Sequence, residues 1–342
     1  ALRLTLSALT LQGRDIFLSE SRIEQYRFFL NKLWNASRFA LMNLEDAPVD
    51  LALTIFPDGV CLKVWDRWIL ARLSDVVEEM TTLLDGYFFG ESTHVMYDFV
   101  WGELCDWYLE LSKPALRGDE GESRKLVTQY ILYTVFRDVL KLLHPIIPFV
   151  TEELWSAFGY GDKIIGRSSW PKPRTIPNAE GYKGDMNYLQ TIIRAMRNLR
   201  AEIKMPPQQT APLMSLRLKD ERRTSLVSEN LDMLTLMARV EKIDLKTYGE
   251  PKPPKSLSYL TGEWDLFMPV GDLLDVDREI ARLENEFEKL ETEMRRIMSK
   301  LENKHFIERA PAEVVEKDRS TLADCESRKR RIEENIAGLA LN

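Results

Sequence analysis

The chain has 342 residues, 44% of them hydrophobic and 30% charged, with a formal net charge of −7. That length suits two or three domains rather than one helical core, and no apolar run approaches the roughly 20 residues that span a bilayer. The acidic balance argues against indiscriminate polyanion binding, while a local basic patch stays open.

Three cysteines (Cys61, Cys105, Cys325) lie far apart and the three histidines are scattered, which excludes a disulfide framework and a metal-ligand cluster. With no signal peptide visible, a reducing, cytoplasmic setting fits. The chain starts at Ala1 inside an apolar, helix-like stretch, so it reads as part of something larger.

Residues 1–12 predict a short apolar helix closed by Gly13, and Ser19 is placed to cap the next one, which runs to about Asn43. On that second helix Arg27, Asn31, Asn35 and Arg38 form one polar stripe. Phe29, Leu33, Ala36 and Ala40 form a core stripe, flanked by Tyr26, Leu30 and Trp34. The stretch Gln25–Phe39 carries amides and guanidiniums but no acid. A solvated face is the plain reading; the alternative is a surface for unpaired RNA bases and phosphates, with Phe39 as the aromatic partner.

The run 45–60, with Pro48, Pro57 and Gly59, reads as a loop. Helices follow at 64–87, at 91–113 (ended or kinked by Pro114), at 123–143 and at 151–158, with His144-Pro145 between the last two. Short loops make this an antiparallel helix bundle. Residues 159–184 read as a linker. Residues 186–204 predict a helix with Arg194, Arg197, Arg200 and Lys204 along one face, stopped by Pro206-Pro207. Strands at 213–218 and 242–248, a helix at 225–238, and a run at 259–270 turning at Thr261-Gly262 make a small α+β domain.

The clearest periodicity comes last. Ile280, Leu283, Phe287, Leu290, Met294, Ile297 and Leu301 alternate at spacings of three and four, and the repeat resumes from Val315 to Leu339 after a break at 302–311. Asp318 and Lys329 occupy two seam positions. Two narrow-faced arms around such a break predict an antiparallel coiled-coil hairpin with a positively leaning tip and a second basic run at 328–331. The boundaries are then 1–160 for the bundle, 161–271 for the linker and α+β domain, and 272–342 for the hairpin.

There is no Gly-rich phosphate loop, no GxSxG, no HExxH and no Cys/His cluster. Cys105 reads as a buried small hydrophobe, and Asp106 as a structural cap or one half of an ion pair, with Lys113 as a candidate partner. No catalytic or metal-binding constellation emerges, so the chain reads as a binding part.

The runs ALRLTLSALTLQGRDIFL, FLNKLWNASRF, WDRWIL, VWGELCDWYLELSKP, HPIIPFVTEELW, IIRAMRNLRAEIKMPP and FIERAPAEVVEKDR resemble, in that order, the C-terminal portion of bacterial valyl-tRNA synthetases, class I aminoacyl-tRNA synthetases. WDRWIL and HPIIPF are shared with isoleucyl and leucyl relatives, which remain alternatives, as does a helical scaffold gripping a protein partner. The coiled coil with FIERAPAEVVEKDR at its turn is more specific to the valyl family.

The resemblance implies a mainly α chain: a class Ia anticodon-binding bundle, a small α+β connecting domain and a coiled-coil tRNA-binding arm. It implies valine tRNA as partner, a monomer, and no cofactor in this chain, since ATP and magnesium serve catalytic and editing parts that would lie upstream. Alone, the fragment would be inactive. Carried over residue by residue, it offers Arg38 and Phe39 as leading anticodon contacts, with Asn31, Asn35 and Arg22 behind them. Trp101, Trp107 and Glu110 are more often framework. Arg194, Arg197 and Arg200 are offered to backbone phosphates, and Lys304, His305, Phe306 and Arg309 to the tRNA elbow.

Overall fold

A computed structural model describes residues 1–10, 15–47, 62–160, 164–271, 276–303 and 312–340. The chain divides into two compact units, Ala1–Tyr188 and Leu189–Asn342.

The first unit is helical. α1 (Leu2–Leu9) and α2 (Glu20–Met42) are followed by α3 (Val64–Asp85) and α4 (Phe89–Tyr97). A π-helical stretch (Asp98–Tyr108) leads without a break into α5 (Leu109–Leu116), and then come α6 (Glu122–Leu143) and α7 (Pro148–Phe158). The predicted bundle is present, with most of the loop at 45–60 outside the described residues. Its core is aromatic as well as aliphatic: Phe29, Leu33, Trp65, Ile69, Leu73, Phe99, Leu104, Tyr108 and Phe136 are at most 2% exposed. Each such side chain contributes roughly 1.5–3 kcal/mol by leaving water.

Pro114 neither ends nor divides its helix, which continues to Leu116. The departure in this segment is the π-helical stretch, where the Leu109 N–H reaches back to the Leu104 carbonyl. One extra residue per turn re-aims the side chains, and apolar periodicity is too coarse to reveal it. α6 is buried on nearly every side, from Val127 to Leu143. α7 begins at Pro148, earlier than its predicted start at 151, because proline suits the first turn of a helix.

One ion pair sits inside this bundle. Asp66 is fully buried and lies 2.8 Å from the Arg124 guanidinium, itself 8% exposed. Asp66 also accepts from the Lys63 backbone N–H at 2.9 Å. Burial pushes its carboxyl above the usual range, and the Arg124 charge opposes that shift.

The stretch expected to be a linker is packed on the bundle from residue 164. Arg174 donates to Asp138 at 2.6 Å, Ser74 donates to the Arg174 carbonyl at 2.8 Å, and the Trp170 indole donates to Thr81 at 2.9 Å. α8 (Ala179–Glu202) starts seven residues earlier than predicted.

The second unit takes up the chain within α8 and adds a four-stranded sheet of order β2-β1-β4-β3. Its strands are β1 (Ala211–Leu218), β2 (Val240–Thr247), β3 (Ser256–Leu260) and β4 (Trp264–Pro269). β1 and β2 are parallel and the other pairs antiparallel. A parallel pair needs a crossover, supplied by α9 (Glu221–Glu229) and α10 (Leu231–Ala238). The sequence suggested one helix here; the chain breaks it at Asn230, whose side-chain amide bonds the Leu226 carbonyl at 2.7 Å. β3 and β4 form the expected hairpin, and Gly262 takes the left-handed conformation its turn requires (φ +82°).

α11 (Val276–Glu302) and α12 (Ala312–Leu339) pack as the predicted helical hairpin. Leu283, Leu290 and Ile297 are buried one heptad apart, while Ile280, Phe287, Met294 and Leu301 are half-buried. Both polar seam positions find partners: Lys329 pairs with Glu291 at 2.6 Å, and Asp318 lies 3.7 Å from Lys300. The base of α12 lies along β3, one of the two edge strands of the sheet. There the Asn335 side chain accepts the Ser258 backbone N–H at 2.8 Å. Edge strands left open invite foreign pairing, and this helix covers one.

Candidate nucleic-acid interface

The site is built on α2. Ser19 caps it, accepting from the Arg22 N–H at 3.4 Å. At its other end the Asn43 side chain donates to the Phe39 carbonyl, and Gln129 donates to the Asn43 carbonyl, each at 2.8 Å. Between the caps, Phe29, Leu33, Ala36 and Ala40 are buried as the periodicity predicts.

The rotation of α2 about its own axis is fixed by an aromatic ladder. Phe29 stacks on Tyr97 at 5.1 Å, and Tyr97 stacks on Trp101 at 5.6 Å, almost parallel. Lys32 closes the ladder, its ammonium 3.9 Å from the centre of the Trp101 ring and 2.6 Å from the Asp106 carboxylate. Tyr97 and Trp101 are therefore framework. Asp106 is in an ion pair, as one of the two expectations had it, but with Lys32 in place of Lys113, which pairs with Glu110. The three-residue spacing of that pair along one helix face suits it, whereas Asp106 points toward α2 from the π-helical turn. Trp107 and Cys105 are buried, and burial pushes the Cys105 thiol up to about 12, which leaves it inert.

With α2 held this way, Arg22, Arg27, Asn31, Asn35 and Arg38 are exposed and Phe39 is half-buried beside them. The stripe is less purely cationic than Gln25–Phe39 suggests, because Glu24 reaches Arg27 at 2.8 Å. Both groups of that pair are well solvated, so it holds Arg27 weakly.

Two further side chains join the stripe. Trp34 is 39% exposed and Phe28 is 52% exposed. Trp34 lies one turn from both Asn31 and Arg38, and Phe28 one turn before Asn31. The sequence reading set Trp34 beside the core stripe. Its spacing from Asn31 and Arg38 was the available signal that it borders the polar face instead. Rings flanking amides and guanidiniums offer stacking surfaces next to hydrogen-bonding groups.

The cationic face of α8 separates into unlike residues. Arg194 and Arg197 are exposed, although Arg197 Nε also donates to the Met237 carbonyl at 2.9 Å. Arg200 does not belong with them. It is 7% exposed and donates to the carbonyls of Ala238 at 2.7 Å and Gln209 at 2.5 Å. It ties the end of α8 to the chain entering β1 and the end of α10, so it is corrected from a phosphate contact to a structural residue. Helical spacing puts Arg200 on the arginine face but cannot reveal the carbonyls folded over it. Lys304, His305, Phe306 and Arg309 fall outside the described residues.

Among the described residues no group of acids, histidines and cysteines is arranged to hold a metal ion, and no helix is long and apolar enough to cross a membrane.

Residues 66–215 match the family model of the anticodon-binding domain of tRNA ligase, and residues 275–340 match that of the valyl tRNA synthetase tRNA binding arm. The first match begins after α2. The valine–tRNA ligase of Syntrophotalea carbinolica is 38% identical over 99% of this chain, and that of Carboxydothermus hydrogenoformans 37% identical over 99%. The valine–tRNA ligase of Geobacter sulfurreducens is 38% identical over 96%. The chain spans 37% to 38% of the length of these relatives. Helical bundle, small mixed sheet and terminal hairpin, with matches to both family models and to relatives aligned over almost every residue, show that this chain belongs to the valyl-tRNA synthetase family.

Proposed function

We propose that this chain is the tRNA-recognition portion of a valine–tRNA ligase, with α2 reading the anticodon loop of valine tRNA and the hairpin resting against the tRNA elbow. The observation that carries the reading is the exposed stripe of Arg27, Asn31, Asn35 and Arg38, bordered by Trp34 and Phe28. Guanidiniums pair with phosphates or base edges, amides read base edges, and the rings stack on bases splayed from the loop. Arg38 and Phe39 are the leading contacts, followed by Asn31, Asn35 and Arg22. Arg194 and Arg197 serve backbone phosphates. Lys304, His305, Phe306 and Arg309 serve the elbow.

In the whole enzyme, ATP-dependent attachment of valine to tRNA uses ATP and magnesium; the residues named here bind and orient RNA. We read the protein as a cytoplasmic monomer.

Titrating the chain with valine tRNA, the same tRNA with an altered anticodon, and an unrelated tRNA at two salt concentrations tests this reading. Selective binding lost with the anticodon change is expected. Equal binding to all three RNAs would move selectivity away from α2, and absence of binding above the non-specific level would favour a protein-binding scaffold.

A further inference from the structure

At the base of the hairpin lies an open cleft of about 480 Å³, lined by α8, α11 and α12. Four cations face it, Lys204, Arg282, Arg328 and Arg331, against the carboxylates of Glu202 and Glu286. These cations are not equivalent. Arg282 is held by Glu279 at 2.9 Å and by Glu286 at 2.9 Å, and Arg328 also pairs with Glu286. Those two arginines and their acids form the wall.

Arg331 is held more loosely. Its nearest carboxylate oxygen, on Glu202, is 3.7 Å away, and the other Glu202 oxygen accepts from the Asn335 amide at 3.1 Å. Lys204 projects from a left-handed turn just past α8 (φ +53°), exposed, and among the described residues no carboxylate is paired with it. A guanidinium and an ammonium thus meet at one polar cleft with donors to spare. A guanidinium fork binds phosphate in a two-pronged fashion, and a lysine adds a point charge.

We propose that this cleft seats a phosphodiester of the RNA backbone, held by Arg331 and Lys204 with Arg328 at the rim. The proposal rests on the reading of the chain as an RNA-binding part. It assigns to the foot of the arm a contact that does not depend on base identity.

The test is tRNA affinity of the 342-residue chain as a function of salt, for wild type, K204Q/R331Q, K204Q alone and K204R/R331K. Each phosphate contact adds about 0.7–0.9 to the slope of log affinity against log salt. The double neutral variant should lose the slope of that one phosphate, about 0.7–0.9, and bind severalfold more weakly to valine tRNA and to an unrelated tRNA alike. K204Q should lose about half as much, from an exposed turn where folding is not at stake, and K204R/R331K should recover most of the loss.

An unchanged slope in both neutral variants overturns the cleft, even where the wild type still selects valine tRNA. A reduced slope with no selectivity in the wild type supports the cleft while removing the anticodon reading. Inorganic phosphate that shifts the Arg331 side-chain resonance, with RNA binding unaltered in K204Q/R331Q, would make this a small-anion site and also overturn the proposal. No binding of either tRNA by the wild type overturns both.

Discussion

Asn335, on the last turns of α12, accepts the backbone N–H of Ser258 in β3 at 2.8 Å, and both residues are at most 2% exposed. Three residues on, Gly338 lies so near the strand that a Cβ there would come within 2.5 Å of the Ser256 carbonyl oxygen. The hairpin's root is thereby joined to the sheet by one amide and one missing side chain. Asn335→Ala leaves a buried N–H without its partner, which costs about 1–3 kcal/mol. Amide exchange at Ser258 should accelerate accordingly. Gly338→Ala should also loosen the root, because the Ser256 carbonyl is backbone and cannot swing aside. Unchanged exchange at Ser258 in Asn335→Ala would show that the strand edge is held by other means.

The buried Asp66–Arg124 pair predicts a strongly non-additive response. Removing one partner strands a charge, and Asp66→Asn or Arg124→Met alone should each destabilise the chain by about 3–5 kcal/mol. The double variant should be less destabilised than the sum of the singles. Denaturant unfolding of the four proteins closes the cycle, and simple additivity would show that the two groups do not depend on each other.

Arg200 and Arg194, both on α8, should separate cleanly. Arg200→Gln should lower thermal stability, because two carbonyls lose their donor, with little change in the salt dependence of tRNA binding. Arg194→Gln, at an exposed position, should reduce the salt slope by about 0.7–0.9. Differential scanning calorimetry beside the tRNA titration reads both effects, and a reversed pattern would restore Arg200 as an RNA contact.

Trp34 makes the sharpest prediction on α2. Its exposure means that Trp34→Ala should cost little stability. If its ring stacks on a base, affinity for valine tRNA should fall by about 1–3 kcal/mol, the usual worth of such stacking. The altered-anticodon tRNA should lose less. A large drop in melting temperature with no change in RNA affinity would return Trp34 to the core.

His144 gives the pH prediction. Its Nδ1 lies 2.8 Å from the Thr151 hydroxyl, and burial holds its pKa below the usual 6.5, with Glu152 opposing. The folded chain therefore binds this proton less readily than the unfolded chain. The stabilisation is complete above about 6.5 and is lost as pH falls through the lower folded value. Melting temperature from pH 7.5 down to 5 should decline less in His144→Gln than in wild type.

Elements with one strong period could be read from the residues alone. The seam Leu283–Leu290–Ile297, the core stripe of α2 and its Ser19 cap were legible because side-chain spacing dictates which face a helix buries. The exposed stripe from Arg27 to Arg38 followed from the same geometry. Tertiary structure alone decided what spacing does not encode. It turned Asp106 toward Lys32 through a π-helical stretch, and it folded the Ala238 and Gln209 carbonyls over Arg200. It also set the base of α12 on the edge of β3, and it gathered Lys204 and Arg331, distant in sequence, at one cleft. Local periodicity reports which way a residue faces on its own element; which partner waits there depends on segments brought close only when the chain folds.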